Sequence, residues 1–291
     1  MNKWVAGARP RTLPAAIVPV LVGSACAVGE VTFVWWRAIA ALVVALAIQI
    51  GTNYANDYSD GKRGTDDPTK RVGPVRLVGW GLASPDAVRR AALAAFAVAA
   101  VAGLALAIAV DLKLLIVGAL SFAAGWLYTG GPKPYGYAGF GEVFVFVFFG
   151  VVATVGSTYV QTARVTGLSF GASIPIGFLA TALLVVNNLR DIPGDTQSGK
   201  RTLAVRLGDQ RTRVLYVALL IGAVVAVPLV CGLGGRPVGA IALAAIPFAQ
   251  RPVTAVLGGA KGPALIPVLV ATGRVQLIFG VLFAVGIAVS A

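Results

Sequence analysis

The chain has 291 residues, of which 58% are hydrophobic and only 12% charged, and its formal net charge is +13. Soluble globular domains carry about 25% charged residues, so this composition excludes both a soluble domain and a disordered chain. There is no histidine, and the two cysteines, Cys26 and Cys231, form no CxxC, which excludes His-based triads, His-ligated metals and a redox pair.

A membrane helix needs roughly 20 apolar residues, and lipid-exposed backbone must satisfy its own hydrogen bonds, so the apolar runs are read as helices. The sequence predicts nine spans: 13–29, 38–56, 87–110, 113–129, 139–160, 168–188, 212–233, 237–257 and 268–290. The segment before the first span holds Lys3, Arg9 and Arg11, with no small-residue cleavage site soon after the run, so that span is read as retained. Gln250, Arg251 and Pro252 weaken the eighth span, and Arg274 points to a later start for the ninth. The fold class is all-α, a single polytopic membrane domain over residues 1–291.

Topology follows from the basic residues. With nine spans, only Arg37, Lys113, Arg164 and Arg236 fall on one side, and the other 20 of the 24 Lys and Arg fall on the opposite side. That asymmetry predicts a cytoplasmic N-terminus and an external C-terminus in the cell membrane. Net positive charge arranged in this way signals topology and anionic ligands, and no nucleic-acid partner is expected.

Two cytoplasmic loops, after spans 2 and 6, hold Asp57, Asp60, Asp66, Asp67, Asp86, Asp191, Asp195 and Asp209, eight of the 11 acidic residues. Asn53, Asp57 and Asp60 fall at i, i+4 and i+7, on one helical face, with Asn56 one turn from Asp60. In the second cluster Asn187, Asp191 and Asp195 fall at i, i+4 and i+8, followed by basic Lys200 and Arg201. Pro193 and Gly194 are expected to end or kink that helix. Carboxylates beside hydrocarbon are costly, and their default reading is functional. Mg²⁺ takes oxygen ligands and is usually held by one or two carboxylates plus substrate phosphates. Two such clusters, with Arg71, Arg76, Lys200 and Arg201 as anion partners, predict a magnesium-bridged diphosphate at a membrane face. The long apolar walls suggest a lipid tail on that diphosphate. A transporter would instead carry its polar groups near the midplane.

At these residues the sequence resembles the UbiA-type superfamily of intramembrane aromatic prenyltransferases. The superfamily's NDxxDxxxD pattern falls on Asn56, Asp57 and Asp60. Its last Asp would fall on Gly64, with Asp66 two residues later. That variant, followed by Arg71-Val-Gly-Pro-Val-Arg76, looks like the menaquinone branch, the 1,4-dihydroxy-2-naphthoate polyprenyltransferases. Arg9-Pro-Arg-Thr-Leu-Pro14, Lys133-Pro-Tyr-Gly-Tyr137 with Gly141-Glu142, and Asn187-Asn-Leu-Arg-Asp191 with Gly199-Lys-Arg-Thr-Leu fit the same branch.

The resemblance implies nine helices and transfer of a polyprenyl group from a polyprenyl diphosphate to 1,4-dihydroxy-2-naphthoate, with loss of carbon dioxide, giving demethylmenaquinone. Sibling acceptors such as 4-hydroxybenzoate are the alternative. It implies that Asn53, Asp57, Asp60, Asp191 and Asp195 hold Mg²⁺ and diphosphate; Asp66 joins them as a candidate metal ligand, and Asn56, Asn187 and Asn188 as substrate contacts. Lys133 is expected to meet the acceptor's carboxylate, with Tyr128, Tyr135 or Glu142 near its ring. Gln161 is a weaker acceptor contact, and Arg9 and Arg11 read first as interfacial anchors. The loops 57–86 and 189–211 are expected to form a cap that limits water, which would quench a carbocation.

Overall fold

The computed structural model of the chain describes residues 2–66, 73 and 75–291. Among the described residues there are helices and no strands. In chain order they are α1 (Lys3–Ala8), α2 (Pro14–Ala25), α3 (Trp35–Lys62), α4 (Pro85–Ala109), α5 (Leu114–Leu127), α6 (Gly141–Val145), α7 (Ala153–Thr162), α8 (Gly167–Gln197), α9 (Leu203–Leu233), α10 (Ile246–Leu257) and α11 (Leu265–Val289). A π-turn, Phe146–Val152, joins α6 to α7, and a 3₁₀ segment, Pro237–Ala245, leads into α10.

Among the described residues seven segments are long and apolar enough to cross a membrane: Trp35–Lys62, Pro85–Ala109, Gly141–Thr162, Gly167–Gln197, Leu203–Leu233, Pro237–Leu257 and Gly262–Val289. The chain is a multi-span membrane protein. The first and fourth predicted spans appear as shorter apolar helices, α2 and α5. A 3₁₀ turn, Pro10–Thr12, precedes α2, whose first residue is Pro14, a position where a missing N–H costs nothing.

Several boundaries move in ways that matter for the site. α3 runs past residue 56 to Lys62, so Asn53, Asp57 and Asp60 share one rigid helix. α8 does not stop at Pro193 and Gly194 but continues to Gln197. Pro193 is exposed there, so water can take the carbonyl that its ring leaves unbonded. α9 starts at Leu203, with a break at Gly208 (φ 77°, ψ 173°), a conformation only glycine adopts readily. α11 starts at Leu265, earlier than Arg274 suggested.

Small residues set the helix contacts, as expected where burial in lipid gives no driving force of its own. A Cβ on Gly150 would stand 2.5 Å from Gly177 Cα, so the π-turn touches α8 backbone to backbone. A Cβ on Gly280 would meet Val18 at 2.3 Å, one on Gly273 would lie 3.3 Å from the Arg11 carbonyl, and one on Gly29 would lie 2.9 Å from Ala291 Cβ. Helices α2 and α11 therefore run side by side in the same direction. The main apolar core lies among α2, α8, α9 and α11, while α3 packs along α4.

Candidate active site at the mouth of a membrane cavity

One face of α3 supplies the first half of the site. Gln49, Asn53, Asn56 and Asp60 line a cavity of about 750 Å³. Their spacing follows the helical repeat, one above the next. Asn53 donates to the Ala8 carbonyl at 2.9 Å, and Gln49 donates to Thr12 Oγ1 at 3.1 Å. These bonds seat the N-terminal segment on α3, and Arg9 joins the cavity wall. Asn56 Oδ1 accepts from Thr129 Oγ1 at 2.8 Å.

Asp57 stands on the flank of this face and does not line the cavity. It is fully buried, and its two oxygens accept the backbone N–H groups of Leu77 (2.7 Å) and Val78 (3.0 Å). The residue expected beside metal thus ties the segment after α3 back onto the helix. Leu77 then packs against Gly7, and Lys3 donates to the Leu82 carbonyl at 2.8 Å. Helix α1 thus packs on the segment that follows α3, a neighbour no motif predicts.

Asp60 is the meeting point. Arg76 Nη2 and Lys200 Nζ each lie 3.5 Å from its Oδ2. Lys200 also reaches Asp195 Oδ1 at 4.0 Å. The two acidic clusters, distant in sequence, therefore converge on one cavity mouth, lined by Asp60, Asp191, Asp195, Arg76 and Lys200. Asp66 sits behind Arg76, with its Oδ2 3.4 Å from Arg76 Nε, and does not line the cavity. Arg190, only 4% exposed, binds Asp191 through Nε and Nη2, both at 2.7 Å, and donates to Asn187 Oδ1 at 2.9 Å. Gly73 lies against this guanidinium: an added Cβ would stand 3.3 Å from Arg190 Nη2. Arg71 lies outside the described residues.

Below the mouth the cavity becomes apolar and aromatic. Tyr128, Tyr135, Phe144, Phe148 and Phe149 form one wall, and Val44, Leu104, Leu114 and Leu115 belong to another. Tyr135 stacks on Phe144 with centroids 3.9 Å apart and donates to the Ala124 carbonyl at 2.8 Å. The π-turn presents Phe148, Phe149 and Val152 to this space, a common use of such turns.

Four expected contacts fall elsewhere. Lys133 is exposed, because Pro132 and Pro134 hold it in the surface loop, and it does not line the cavity. Arg201 is exposed as well; its backbone N–H donates to the Tyr137 carbonyl at 2.9 Å. Glu142 is buried behind the lining, where its Oε1 accepts from Asn188 Nδ2 at 2.9 Å, and Asn188 itself lines the cavity. Gln161 brackets Val34, accepting from its N–H at 2.9 Å and donating to its carbonyl at 3.0 Å, and so fixes a loop.

Two residues of the site were not singled out by spacing. Tyr137 donates its hydroxyl to Asp60, and the Lys200 ammonium lies 4.6 Å from its ring centroid. Burial, with the Asp60 charge beside it, pushes the Tyr137 phenol up, so it stays a neutral donor. Arg190 is the other. The only signal for it was a basic residue next to an aspartate inside an apolar run.

The oxygen-only donor set, Asp60, Asp191 and Asp195, suits a hard divalent cation. Among the described residues no group of three acidic side chains forms a ready-made metal cage, so an ion there would need oxygens from substrate.

Residues 16–256 match the UbiA prenyltransferase family. A 1,4-dihydroxy-2-naphthoate octaprenyltransferase from Mycobacterium tuberculosis is 52% identical over 277 residues, covering 95% of this chain and 94% of the relative. The Escherichia coli enzyme of the same name is 35% identical, covering 99% and 95%. The structure of a UbiA homologue from Archaeoglobus fulgidus bound to DMAPP and Mg²⁺ shares the fold, with a TM-score of 0.64 and 17% identity over 99% of each chain. The cavity, its charged mouth and this similarity along nearly the whole chain agree: the chain belongs to the UbiA prenyltransferase family and is a membrane-embedded prenyltransferase.

Proposed function

We propose that this chain transfers a polyprenyl group from a polyprenyl diphosphate to 1,4-dihydroxy-2-naphthoate, a step of menaquinone biosynthesis. The observation that carries the proposal is the single cavity whose mouth unites Asp60, Asp191, Asp195, Arg76 and Lys200 and whose depth is apolar. The names of the M. tuberculosis and E. coli relatives support the acceptor. The DMAPP and Mg²⁺ bound to the A. fulgidus homologue support a prenyl diphosphate with a divalent ion.

In this reading Asp60, Asp191 and Asp195 hold Mg²⁺, with Asn53, Asn56 and Asn187 at the same mouth. Bound Mg²⁺ offsets the diphosphate's charge and favours its departure. Lys200 and Arg76 orient the diphosphate and stabilise the negative charge that builds on it as the allylic C–O bond breaks. The bond's electron pair leaves with pyrophosphate. The prenyl carbon then bonds to the ring carbon bearing the carboxylate, and that carboxylate departs as CO₂, returning its electron pair to the ring. The product is the quinol of demethylmenaquinone, which dissolved dioxygen oxidises to the quinone outside the site. Tyr128 and Tyr135 flank the acceptor ring, and Asn188, oriented by Glu142, contacts it. A cap made of 57–66, 75–86 and 189–211, together with α1, keeps water from the cation; the rest of the expected loop, 67–72 and 74, lies outside the described residues.

The active site faces the cytoplasm, and nine crossings leave the C-terminus outside. The parallel run of α2 and α11 supports an odd number of crossings, which requires it, and the excess of Lys and Arg on the N-terminal side supports the orientation. Incubating purified protein with a polyprenyl diphosphate, Mg²⁺ and 1,4-dihydroxy-2-naphthoate tests the reading. Demethylmenaquinone and CO₂ in equal amounts are expected. Product with 4-hydroxybenzoate and none with the naphthoate would overturn the acceptor assignment.

A further inference from the structure

Arg190 and Arg213 are both buried, and each grips an aspartate through Nε and Nη2. A guanidinium has five N–H donors in a rigid fork, so each has further donors to place. In Arg213 every nitrogen is bonded. Its Nη1 donates to the Val256 carbonyl, and its Nη2 donates also to that of Ala260 at 2.9 Å. That arginine ties α9 to the end of α10. In Arg190, Nε donates to Asp191 and Nη2 donates to Asp191 and Asn187. Its Nη1 bonds to nothing among the described residues.

The two arginines differ in what they face. Arg213 does not line the cavity, whereas Arg190 does, at the same mouth as Arg76, Lys200 and Asp195. A buried donor without a partner is costly, and more so on a charged group. The Arg190 guanidinium is not free to turn toward another partner. Asp191 and Asn187 hold it, and Gly73 lies against Nη2, where an added Cβ would stand 3.3 Å away. Arg76 Nη1 is also buried with no hydrogen-bond partner among the described residues. Two guanidiniums at one cavity mouth therefore keep donors in reserve.

We propose that Arg190 is a third cationic contact of the prenyl diphosphate, through Nη1, with Asp191 and Asn187 as the residues that position it. The inference rests on the reading of the mouth as a diphosphate site and adds a residue to that site. Hydrogen bonds from arginine to phosphoryl oxygens are charge-assisted, and the open Nη1 supplies the donors. As the allylic C–O bond breaks, its electron pair passes to the departing pyrophosphate, and Nη1 meets the charge that builds there. Asp191 can serve both partners. A carboxylate has about four lone-pair sites, and each of its oxygens accepts one N–H from Arg190, which leaves lone pairs for a divalent ion.

The test measures binding of inorganic pyrophosphate, with Mg²⁺ present, to the whole protein in detergent micelles by titration calorimetry. Arg190→Gln is expected to weaken binding about tenfold, the scale of one charge-assisted hydrogen bond. Arg190→Lys separates contact from charge balance, because its ammonium still neutralises Asp191 but has no second edge to offer. It is expected to weaken pyrophosphate about fivefold and to lower kcat with the prenyl diphosphate. Pyrophosphate affinity in Arg190→Lys equal to that of the unaltered protein would overturn the contact and leave Arg190 as a partner of Asp191 alone. Failure of the unaltered protein to bind pyrophosphate would overturn the diphosphate site itself, and this contact with it. If Arg190→Gln does not fold, Arg190→Lys decides the matter.

Discussion

Lys200 and Asp60, from opposite halves of the chain, form a buried ion pair at 3.5 Å, and the same ammonium reaches Asp195 at 4.0 Å. One side chain therefore bridges the two acidic clusters across the mouth of the cavity. Replacing it by methionine keeps the length of the stem and removes the charge. Lys200→Met is expected to lower kcat about a hundredfold, the scale seen when one stabilising donor is deleted from a charge-developing site, and to raise KM for the prenyl diphosphate. Steady-state kinetics check this; an unchanged kcat would detach Lys200 from the diphosphate.

Asp57 holds the segment after α3 onto that helix. Its carboxylate takes two backbone N–H groups, and each hydrogen bond to a charged group is worth about 1.5–3 kcal/mol. Asp57→Ala is expected to abolish most activity while residues 75–84 exchange amide hydrogens much faster and α8 does not. Lost activity with unchanged exchange in 75–84 would instead place Asp57 on the metal.

Tyr137→Phe removes the hydroxyl that holds Asp60 and leaves the ring under Lys200. A fall of about tenfold in kcat is expected, near the loss of one hydrogen bond of about 1.5 kcal/mol to a charged group. Folding should be intact, as judged by an unshifted thermal midpoint within a few degrees. Full activity in this variant would make the contact incidental.

The π-turn offers a structural test. Gly150→Ala places a methyl 2.5 Å from Gly177 Cα, which the backbone can relieve only by moving apart. Overpacking of this kind costs about 1–3 kcal/mol. The variant should unfold at lower temperature and accept a different range of prenyl lengths, because the same turn carries Phe148 and Phe149. An unchanged midpoint and product profile would contradict the backbone contact.

Removing divalent ions with EDTA should stop turnover, and Mg²⁺ should restore it. With few ready-made ligands among the described residues, the ion is expected to bind weakly without substrate and tightly with it. Calorimetry with and without a non-hydrolysable diphosphate analogue distinguishes the two. Tight binding to the substrate-free protein would point to a preformed cage.

Much of the architecture was legible because lipid imposes length and apolarity. The predicted runs 87–110, 139–160 and 237–257 lie within a few residues of Pro85–Ala109, Gly141–Thr162 and Pro237–Leu257. The π-turn inside the fifth was invisible, since it depends on the glycine contact with α8 and not on any local pattern. Helical spacing placed Asn53 and Asp60 on one face correctly but included Asp57, whose small angular offset turns it toward Leu77 and Val78. Periodicity cannot separate residues one position apart on a stripe. Lys133 is expected as a ligand because the acceptor's carboxylate needs a cationic partner, yet flanking prolines carry it to the surface. Tyr137 was missed because a tyrosine in a loop has no spacing to interpret; only the folded loop brings it to Asp60.

The central claim is that both acidic clusters serve one diphosphate. The most direct measurement is a cryo-EM map of the protein with Mg²⁺ and a non-hydrolysable prenyl diphosphate analogue. The expected density lies between Asp60 and Lys200 on one side and Asp191 and Asp195 on the other, with the prenyl chain running down past Tyr135 and Phe148. Diphosphate density bound to only one cluster, or outside this cavity, would contradict the account.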